Sequence, residues 1–320
     1  MKRFFRGLAA LLAAVIILSG AAAAFAEEEK VYTLPIDLSE GKPYQDSIYN
    51  KENPFKWSDD HHHYEDPTIV ADYYKLDGKQ YGTAHLHYVE ITIKHASQLR
   101  TACADPNTFD TNSMRPGKNI AQRVNAVVAV DGDFCNSYYA QEGNKYCLRM
   151  GKVYRDTVVD YLDMLLIDED GDFHIYKGGP ELADLPKEEI DGKKIYNAFQ
   201  FGPAIVIDGE PVPDEYILDP AHAPDTSHPE LGEPRICIAQ IDTLHYLIYF
   251  NWWGPGKNLA EVRDIVMSLA PVKTAYMLDG GNSSQIIFQM SQANLMGKDL
   301  NDRKIFDIIY FASAYDPNAD

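Results

Sequence analysis

The fold is constrained most by a succession of short apolar runs that begins near Thr68 and is divided by turn residues. Residues 84–93 alternate between apolar and polar side chains, and residues 125–130 form a continuous apolar run. Runs of this length suit strands and are too short for most helices. Asp-Gly pairs lie between neighbouring runs, as in residues 168–172 and 208–209, and are typical of hairpin turns. The pattern therefore predicts a chain dominated by β-sheet.

Helical periodicity is clear in one segment, residues 259–270, where apolar side chains recur along one face. Asn258 precedes this segment as an N-cap, and Glu261 follows three residues later, which matches a capping box. A shorter helix is predicted over residues 119–123. We therefore expect a mixed α/β (α+β) fold, a sheet-rich single domain with few helices.

The first 26 residues have the three parts of a secretory signal peptide. A basic start is followed by the almost wholly apolar residues 8–18, and Ala24-Phe25-Ala26 has the A-x-A form of a cleavage site. The apolar core is too short to span a bilayer well. We expect cleavage before Glu27, export, and release of the mature protein outside the cell.

Residues 27–65 have the composition of an irregular extension, with three prolines and scattered Tyr, Asp and Asn. Residues 59–63 (DDHHH) invite interpretation as a metal site, but no ligand with clear spacing follows, so a solvated polar loop is predicted there. Residues 66–316 are expected to form the one folded domain. No metal ion or other cofactor is predicted.

The net charge of the chain is −19, and the predicted signal peptide carries basic but no acidic residues, so the mature chain is more negative still. A surface of this charge repels nucleic acid and anionic lipid. We expect no nucleic-acid partner, and no membrane partner once the signal peptide is removed. A phosphate ligand would need a local pocket with its own Arg side chain or backbone N–H groups.

The four cysteines are Cys103, Cys135, Cys147 and Cys237. An exported chain can oxidise its thiols, and Cys135 with Cys147 would close a short loop. A fold of this size does not depend on such a bridge. The sequence leaves two alternatives, a Cys135–Cys147 disulfide or two reduced thiols.

Polar residues and glycines interrupt the strand pattern at three places: residues 131–134 (DGDF), Pro234-Arg235, and residues 278–284 (LDGGNSS). The first and third places follow buried strands, where a sheet can fix a loop that faces a ligand. Gly280 and Gly281 can adopt positive φ, and successive N–H groups there can bind an anion. The alternative at the third place is a tight turn with a capping serine.

The order and context of these places resemble the phosphodiester glycosidase family, to which the lysosomal uncovering enzyme belongs. Residues 127–134 are similar to the family's strand ending in Asn-Gly-Gly-Phe-Phe, residues 234–239 to its Pro-Arg-Thr-Ala-Ile-Gly, and residues 278–284 to its Leu-Asp-Gly-Gly-Gly-Ser-Ser. Further similar segments are residues 147–154, 201–209 and 256–262. The resemblance extends from about Leu86 to Phe311. It points to a bacterial, secreted member of the family.

Four residues depart from the family pattern. Asp131 replaces an Asn, Asp133 a small residue, Cys237 a small residue and Asn282 a glycine. The two aspartates make the predicted pocket more acidic than is usual for the family. The resemblance therefore does not define the sugar.

The resemblance implies a hydrolase that cleaves a sugar from the phosphate on its anomeric carbon, in a glycan or a small-molecule phosphodiester. The phosphate is a weakly basic leaving group, so the site needs a carboxylate to attack or to activate water, and positive charge near the phosphate. Asp279, Asp131 and Asp133 are the carboxylate candidates, and Arg235 is the phosphate candidate because of its bidentate fork. Substrate contacts are predicted at Gly132, Gly280, Gly281, Asn282, Ser283 and Ser284. Glu261 stays outside the predicted site because its capping role explains it.

Two other function classes fit the residues. A serine hydrolase would use Ser283 or Ser284, although the Gly-x-Ser-x-Gly elbow is missing. A non-catalytic module would bind a glycan or a sugar phosphate in the same pocket. A covalent sugar trapped on Asp279 would separate the glycosidase from both.

Overall fold

The computed structural model describes residues 33–34, 54–56, 58–107, 113–132, 145–223, 228–252, 255–289, 291–293 and 303–315. Residues 32–320 form one compact unit. Among the helices of the described residues, none is both long and apolar enough to cross a membrane. The predicted signal peptide, Asp133 and Cys135 lie outside the described residues, so the predictions that depend on them stay predictions.

The described residues are rich in strands and contain three α-helices, numbered here in chain order. The strands are β1 (His61–Asp66), β2 (Ile69–Asp77), β3 (His85–Ile93), β4 (Leu99–Cys103), β5 (Arg115–Pro116), β6 (Ala126–Asp131), β7 (Cys147–Arg149), β8 (Lys152–Arg155), β9 (Met164–Asp168), β10 (Phe173–Tyr176), β11 (Glu189–Ile190), β12 (Lys193–Phe199), β13 (Ala204–Ile207), β14 (Glu210–Pro211), β15 (Arg235–Asp242), β16 (His245–Asn251), β17 (Thr274–Met277), β18 (Ile286–Phe288), β19 (Ser291–Gln292), β20 (Lys304–Ile305) and β21 (Asp307–Ala312). The helices are α1 (Gly117–Arg123), α2 (Asp214–Ile217) and α3 (Leu259–Leu269).

The largest sheet has eight strands in the order β1-β2-β3-β16-β15-β17-β13-β14, and neighbouring strands are antiparallel. Successive side chains of β15 point to opposite faces, so Ile238 joins one apolar cluster and Ala239 joins another. Helix α3 contributes Val262 and Val266 to the second cluster. The eight-stranded sheet is therefore buried on both faces.

Two smaller sheets contribute to the first cluster. One has the order β19-β18-β6-β21-β4, and the other has the order β10-β9-β12-β7-β8 with β11 beside β12. Val128 and Ile309 of the five-stranded sheet, and Leu165 of β9, share this cluster with Ile238. The opposite face of the five-stranded sheet packs against α1 through Ile120. A two-stranded ladder of β5 and β20 completes the described strands.

This topology brings the predicted polar segments to neighbouring strand ends. Because β15 and β17 are antiparallel, Arg235 at the start of β15 lies close to the end of β17, from which the chain runs to Asp279. In the five-stranded sheet, β6 ends at Asp131 beside the start of β21 at Asp307.

Several local predictions are confirmed. The fold is sheet-rich with few helices, and the hairpins β9–β10 and β13–β14 form at the predicted turns. Helix α3 begins with the predicted capping box: the Asn258 side chain accepts from the Glu261 N–H at 2.9 Å, and the Glu261 carboxylate accepts from the Asn258 N–H at 3.1 Å. Glu261 thus has the structural role expected of it.

The prediction of an irregular segment up to residue 65 is wrong at its end. Residues 61–66 form β1, which pairs with β2 along its whole length. Its side chains alternate, with His62 buried while His61 and His63 are exposed beside Asp72. The alternation is hidden in the sequence because polar imidazoles occupy both faces. The domain therefore begins before residue 66.

Candidate active site

A pocket opens near the ends of β15 and β17, with a volume of about 480 Å³ that includes space open to solvent. Its walls are formed by residues 201–202, Glu233, Arg235, Leu259 and residues 277–281. Four predicted site residues therefore share one pocket. They are Asp279, Arg235, Gly280 and Gly281.

Asp279 is fixed at the pocket wall by a turn that is attached to the segment before β15. The Gly281 N–H donates to the Pro234 carbonyl at 3.0 Å. Gly281 has a φ of 58°, and a Cβ at Gly280 would lie 2.9 Å from the same carbonyl oxygen. One glycine thus provides the left-handed conformation and the other permits the close approach. Asp279 is 6% exposed, so the turn presents a carboxyl group that is largely shielded from water.

Arg235 is buried in the same wall and holds the preceding loop. Its Nε donates to the Lys257 carbonyl at 3.1 Å, and its Nη2 donates to the carbonyls of His228 at 2.5 Å and Leu231 at 3.1 Å. The other terminal nitrogen, Nη1, lies 3.5 Å from Oε2 of Glu233. The predicted fork therefore donates mainly to main-chain carbonyls, and Nη1 is the nitrogen that faces an anionic group.

Glu233 is a pocket residue that the sequence prediction missed. Its main chain exchanges two hydrogen bonds with Lys257, and Nδ2 of Asn251 donates to its carbonyl at 2.9 Å. Its side chain is 26% exposed beside the Arg235 guanidinium. The available signal was its position directly before Pro234-Arg235. The pocket thus presents two carboxyl groups, Asp279 and Glu233.

The wall at Phe201 and Gly202 rests on a second buried network that the sequence did not reveal. The Phe201 N–H donates to the Tyr276 hydroxyl at 2.8 Å, and the Ala204 N–H donates to Oδ2 of Asp163 at 2.9 Å. Burial raises the pKa of Asp163. These contacts fix the main chain opposite Asp279.

Asp131 lies outside the group of residues that line the pocket. It is fully buried, and its Oδ1 accepts from the Gln285 N–H at 2.8 Å. Burial raises the pKa of Asp131 well above its usual range, and the negative charge of Asp279 adds to this effect. Two predicted carboxylates are therefore electrostatic neighbours in different environments.

Gly132 contacts a buried ion pair instead of the pocket. Its N–H donates to the Asp307 carbonyl at 3.2 Å, and a Cβ at this position would lie 2.5 Å from Oδ1 of Asp307. The Asp307 carboxylate in turn accepts from Nε of Arg149 at 2.5 Å, with both side chains buried. The substrate contact predicted for Gly132 stays a prediction.

Asn282, Ser283 and Ser284 continue the turn beyond Gly281 without lining the pocket. Asn282 is exposed, whereas Ser283 and Ser284 are 4% and 1% exposed. A serine nucleophile must reach its substrate. Their burial favours a carboxylate over a serine as the reacting group.

The family model described as phosphodiester glycosidase matches residues 124–312. The chain belongs to the phosphodiester glycosidase family. The matched segment runs from just before β6 to the end of β21, so it includes Asp131, Arg149, Arg235, Asp279 and Asp307. A comparison with curated protein sequences found no match.

The fold of this phosphodiester glycosidase is similar to that of two solved structures. The first is the catalytic domain of zebrafish N-acetylglucosamine-1-phosphodiester alpha-N-acetylglucosaminidase, auto-inhibited by its pro-peptide, with 14% identity and a TM-score of 0.61 over 80% of this chain and 89% of that chain. The second is a hypothetical protein from Synechocystis, with 13% identity and a TM-score of 0.50 over 79% of this chain and 64% of that chain. At these identities the likeness concerns the fold.

Proposed function

We propose that this phosphodiester glycosidase hydrolyses the bond between the anomeric carbon of a sugar and a phosphodiester oxygen. The observation that carries the proposal is the pocket shared by Asp279 and Arg235, two buried residues of opposite charge. A sugar-1-phosphodiester has matching features, since its anomeric carbon gains positive charge in the transition state and its phosphate is anionic.

Asp279 takes the role of the reacting carboxylate. It attacks the anomeric carbon, or removes a proton from the attacking water, while the bond to the phosphate oxygen breaks. The phosphate monoester leaves with the electron pair and needs little help from an acid, because it is a weak base. In the covalent route, water then cleaves the ester on Asp279 and releases the sugar.

Arg235 takes the role of the phosphate ligand through Nη1. This nitrogen lies 3.5 Å from the Glu233 carboxylate, so an incoming phosphate competes with Glu233 for it. The other donors of Arg235 hold main-chain carbonyls and keep the guanidinium in place. A preorganised cation of this kind costs little reorganisation during the reaction.

We also propose that the protein acts outside the cell on glycan or cell-envelope phosphodiesters. Support comes from residues 1–26, which have the pattern of a signal peptide. Because the chain has a net charge of −19, attraction for the phosphate must come from the pocket itself.

The test is turnover of a panel of sugar-1-phosphodiesters by purified protein, with the released sugar and phosphate monoester both quantified. Asp279→Asn keeps the size of the side chain and removes its charge, so kcat should fall by about 1,000-fold with an unchanged circular dichroism spectrum. Asp184→Asn, at an exposed position away from the pocket, is the matched control and should keep full activity.

Three outcomes would redirect the proposal. Full activity of Asp279→Asn would remove Asp279 from the reaction. Loss of turnover in Ser283→Ala or Ser284→Ala, with Asp279→Asn active, would favour a serine hydrolase. Binding of a phosphodiester without turnover, measured by calorimetry, would identify a non-catalytic binding module.

A further inference from the structure

A buried group of charged side chains joins the end of β6 to the Asp279 turn. Its carboxyl groups are Asp131, Asp279 and Asp307, which are 0%, 6% and 0% exposed. The Arg149 guanidinium, 2% exposed, reaches the group from β7. Burying several like charges together is costly, so their protonation states cannot be independent.

Asp307 has a partner of opposite charge. Nε of Arg149 donates to its Oδ2 at 2.5 Å, and Nη1 of Arg149 donates to the carbonyls of Leu148, at 3.0 Å, and Ala198. The guanidinium also lies over the Phe199 ring, with Cζ 3.8 Å from the ring centroid. Arg149 and Asp307 thus form a charged pair that is held by strands of two sheets.

Asp131 is placed differently. Its Oδ1 accepts one main-chain N–H, from Gln285, while its Oδ2 is buried and has no hydrogen-bond partner among the described residues. The charged groups that act on it include the carboxylates of Asp279 and Asp307, and both repel a negative charge. A bare carboxylate oxygen in such surroundings is unfavourable, and protonation removes the charge.

We propose that Asp131 is a neutral carboxylic acid that positions the Asp279 turn, so that the pocket operates with Asp279 ionised and Asp131 uncharged. The inference rests on the proposed function for its catalytic consequence and on the buried network for its protonation state. Asp131 is then a positioning residue. Ionisation of Asp131 would place a second negative charge behind Asp279 and repel the anionic phosphodiester, so activity declines as pH rises.

The same proton makes stability depend on pH. Burial raises the pKa of Asp131 in the folded protein, so the fold binds this proton more tightly than the unfolded chain does. The stability it contributes is fully present below the unfolded-state pKa of about 3.9 and is lost as pH rises towards the folded-state pKa. In that window the unfolding constant of the wild type, relative to a variant without this proton, should rise about tenfold per pH unit.

The experiment compares Asp131→Asn with the wild type in denaturant unfolding from acid to alkaline pH and in the pH profile of kcat/KM. We expect the ratio of unfolding constants to rise with pH as stated, and the alkaline decline of kcat/KM to shift upward or disappear in Asp131→Asn. Asp307→Asn is the matched control. It makes the same chemical change but breaks the pair with Arg149, so it should destabilise the protein at neutral pH.

The inference is overturned if Asp131→Asn fails to fold, is less stable than the wild type at neutral pH, or shows the same dependence of stability on pH. It is also overturned if folded Asp131→Asn loses activity more than a hundredfold at every pH, since Asp131 would then take part in the reaction. If the wild type cleaves no phosphodiester, the proposed function fails, while the unfolding measurements still decide the protonation state of Asp131.

Discussion

The Arg235→Lys variant removes the guanidinium fork while keeping a positive charge. In the structure Arg235 donates to three main-chain carbonyls, those of Lys257, His228 and Leu231. A lysine ammonium at the end of a single stem can reach about one of these carbonyls, so two charge-assisted hydrogen bonds are lost. At about 1.5–3 kcal/mol each, the free energy of unfolding should fall by about 3–6 kcal/mol.

The activity of this variant should fall independently of its stability. Without the three carbonyl contacts no group holds the cation against the phosphate, and kcat/KM should drop by about a hundredfold or more. The assay is denaturant unfolding for stability and phosphodiester turnover at a temperature where circular dichroism shows the variant to be folded.

Arg263→Lys is the matched control for the loss of a guanidinium. Arg263 donates to the Val212 carbonyl at 2.7 Å and to the Asp214 carboxylate at 2.5 Å, on α3 and away from the pocket walls. It should lose stability but keep kcat/KM. The reasoning is refuted if folded Arg235→Lys keeps more than a tenth of the wild-type kcat/KM, or if its unfolding free energy is unchanged.

Three further outcomes are expected. Gly132→Ala should lower the unfolding free energy by about 3 kcal/mol in denaturant titrations, because its Cβ would lie 2.5 Å from the Asp307 carboxylate; a loss below about 1 kcal/mol would contradict this packing. Glu233→Gln should lower KM for the phosphodiester, because it removes the charge that competes for Arg235, and an unchanged KM in steady-state kinetics would argue against that competition. N-terminal sequencing of protein from the culture medium should begin near Glu27, whereas Met1 intact on soluble cytoplasmic protein would rule out export.

The parts of the fold that the sequence predicted are those in which local chemistry decides the conformation. The Asp208-Gly209 turn needs two residues at positive φ, 52° and 80° in the structure, and few residue pairs adopt this conformation readily. The start of α3 depends on contacts between Asn258 and Glu261, three residues apart. Such features can be recognised within a short window of sequence.

The missed elements depend on contacts between distant residues. Arg149 and Asp307 are 158 positions apart, and neither stands out in its own segment. Strand β1 exists because β2 pairs with it, whereas its own histidines give no apolar alternation. No local pattern encodes these pairings, so they become visible in the fold alone.

The candidate site was predicted in part because glycines and charged residues mark strand ends. Asp279 and Arg235 do share a pocket, but the sequence did not separate the exposed wall from the buried support behind it. Asp131 resembles Asp279 as a residue type, yet it is fully buried at the end of β6. Burial sets the roles of the two aspartates apart, and burial is decided by the packing of several strands.

The central claim is that the bond between the anomeric carbon and oxygen is broken. Hydrolysis of a sugar-1-phosphodiester in water enriched with heavy oxygen, followed by mass spectrometry of both products, tests this claim directly. The account predicts that the label enters the released sugar and that the phosphate monoester stays unlabelled. Label in the phosphate monoester would show that a phosphorus–oxygen bond is cleaved and would identify a phosphodiesterase instead.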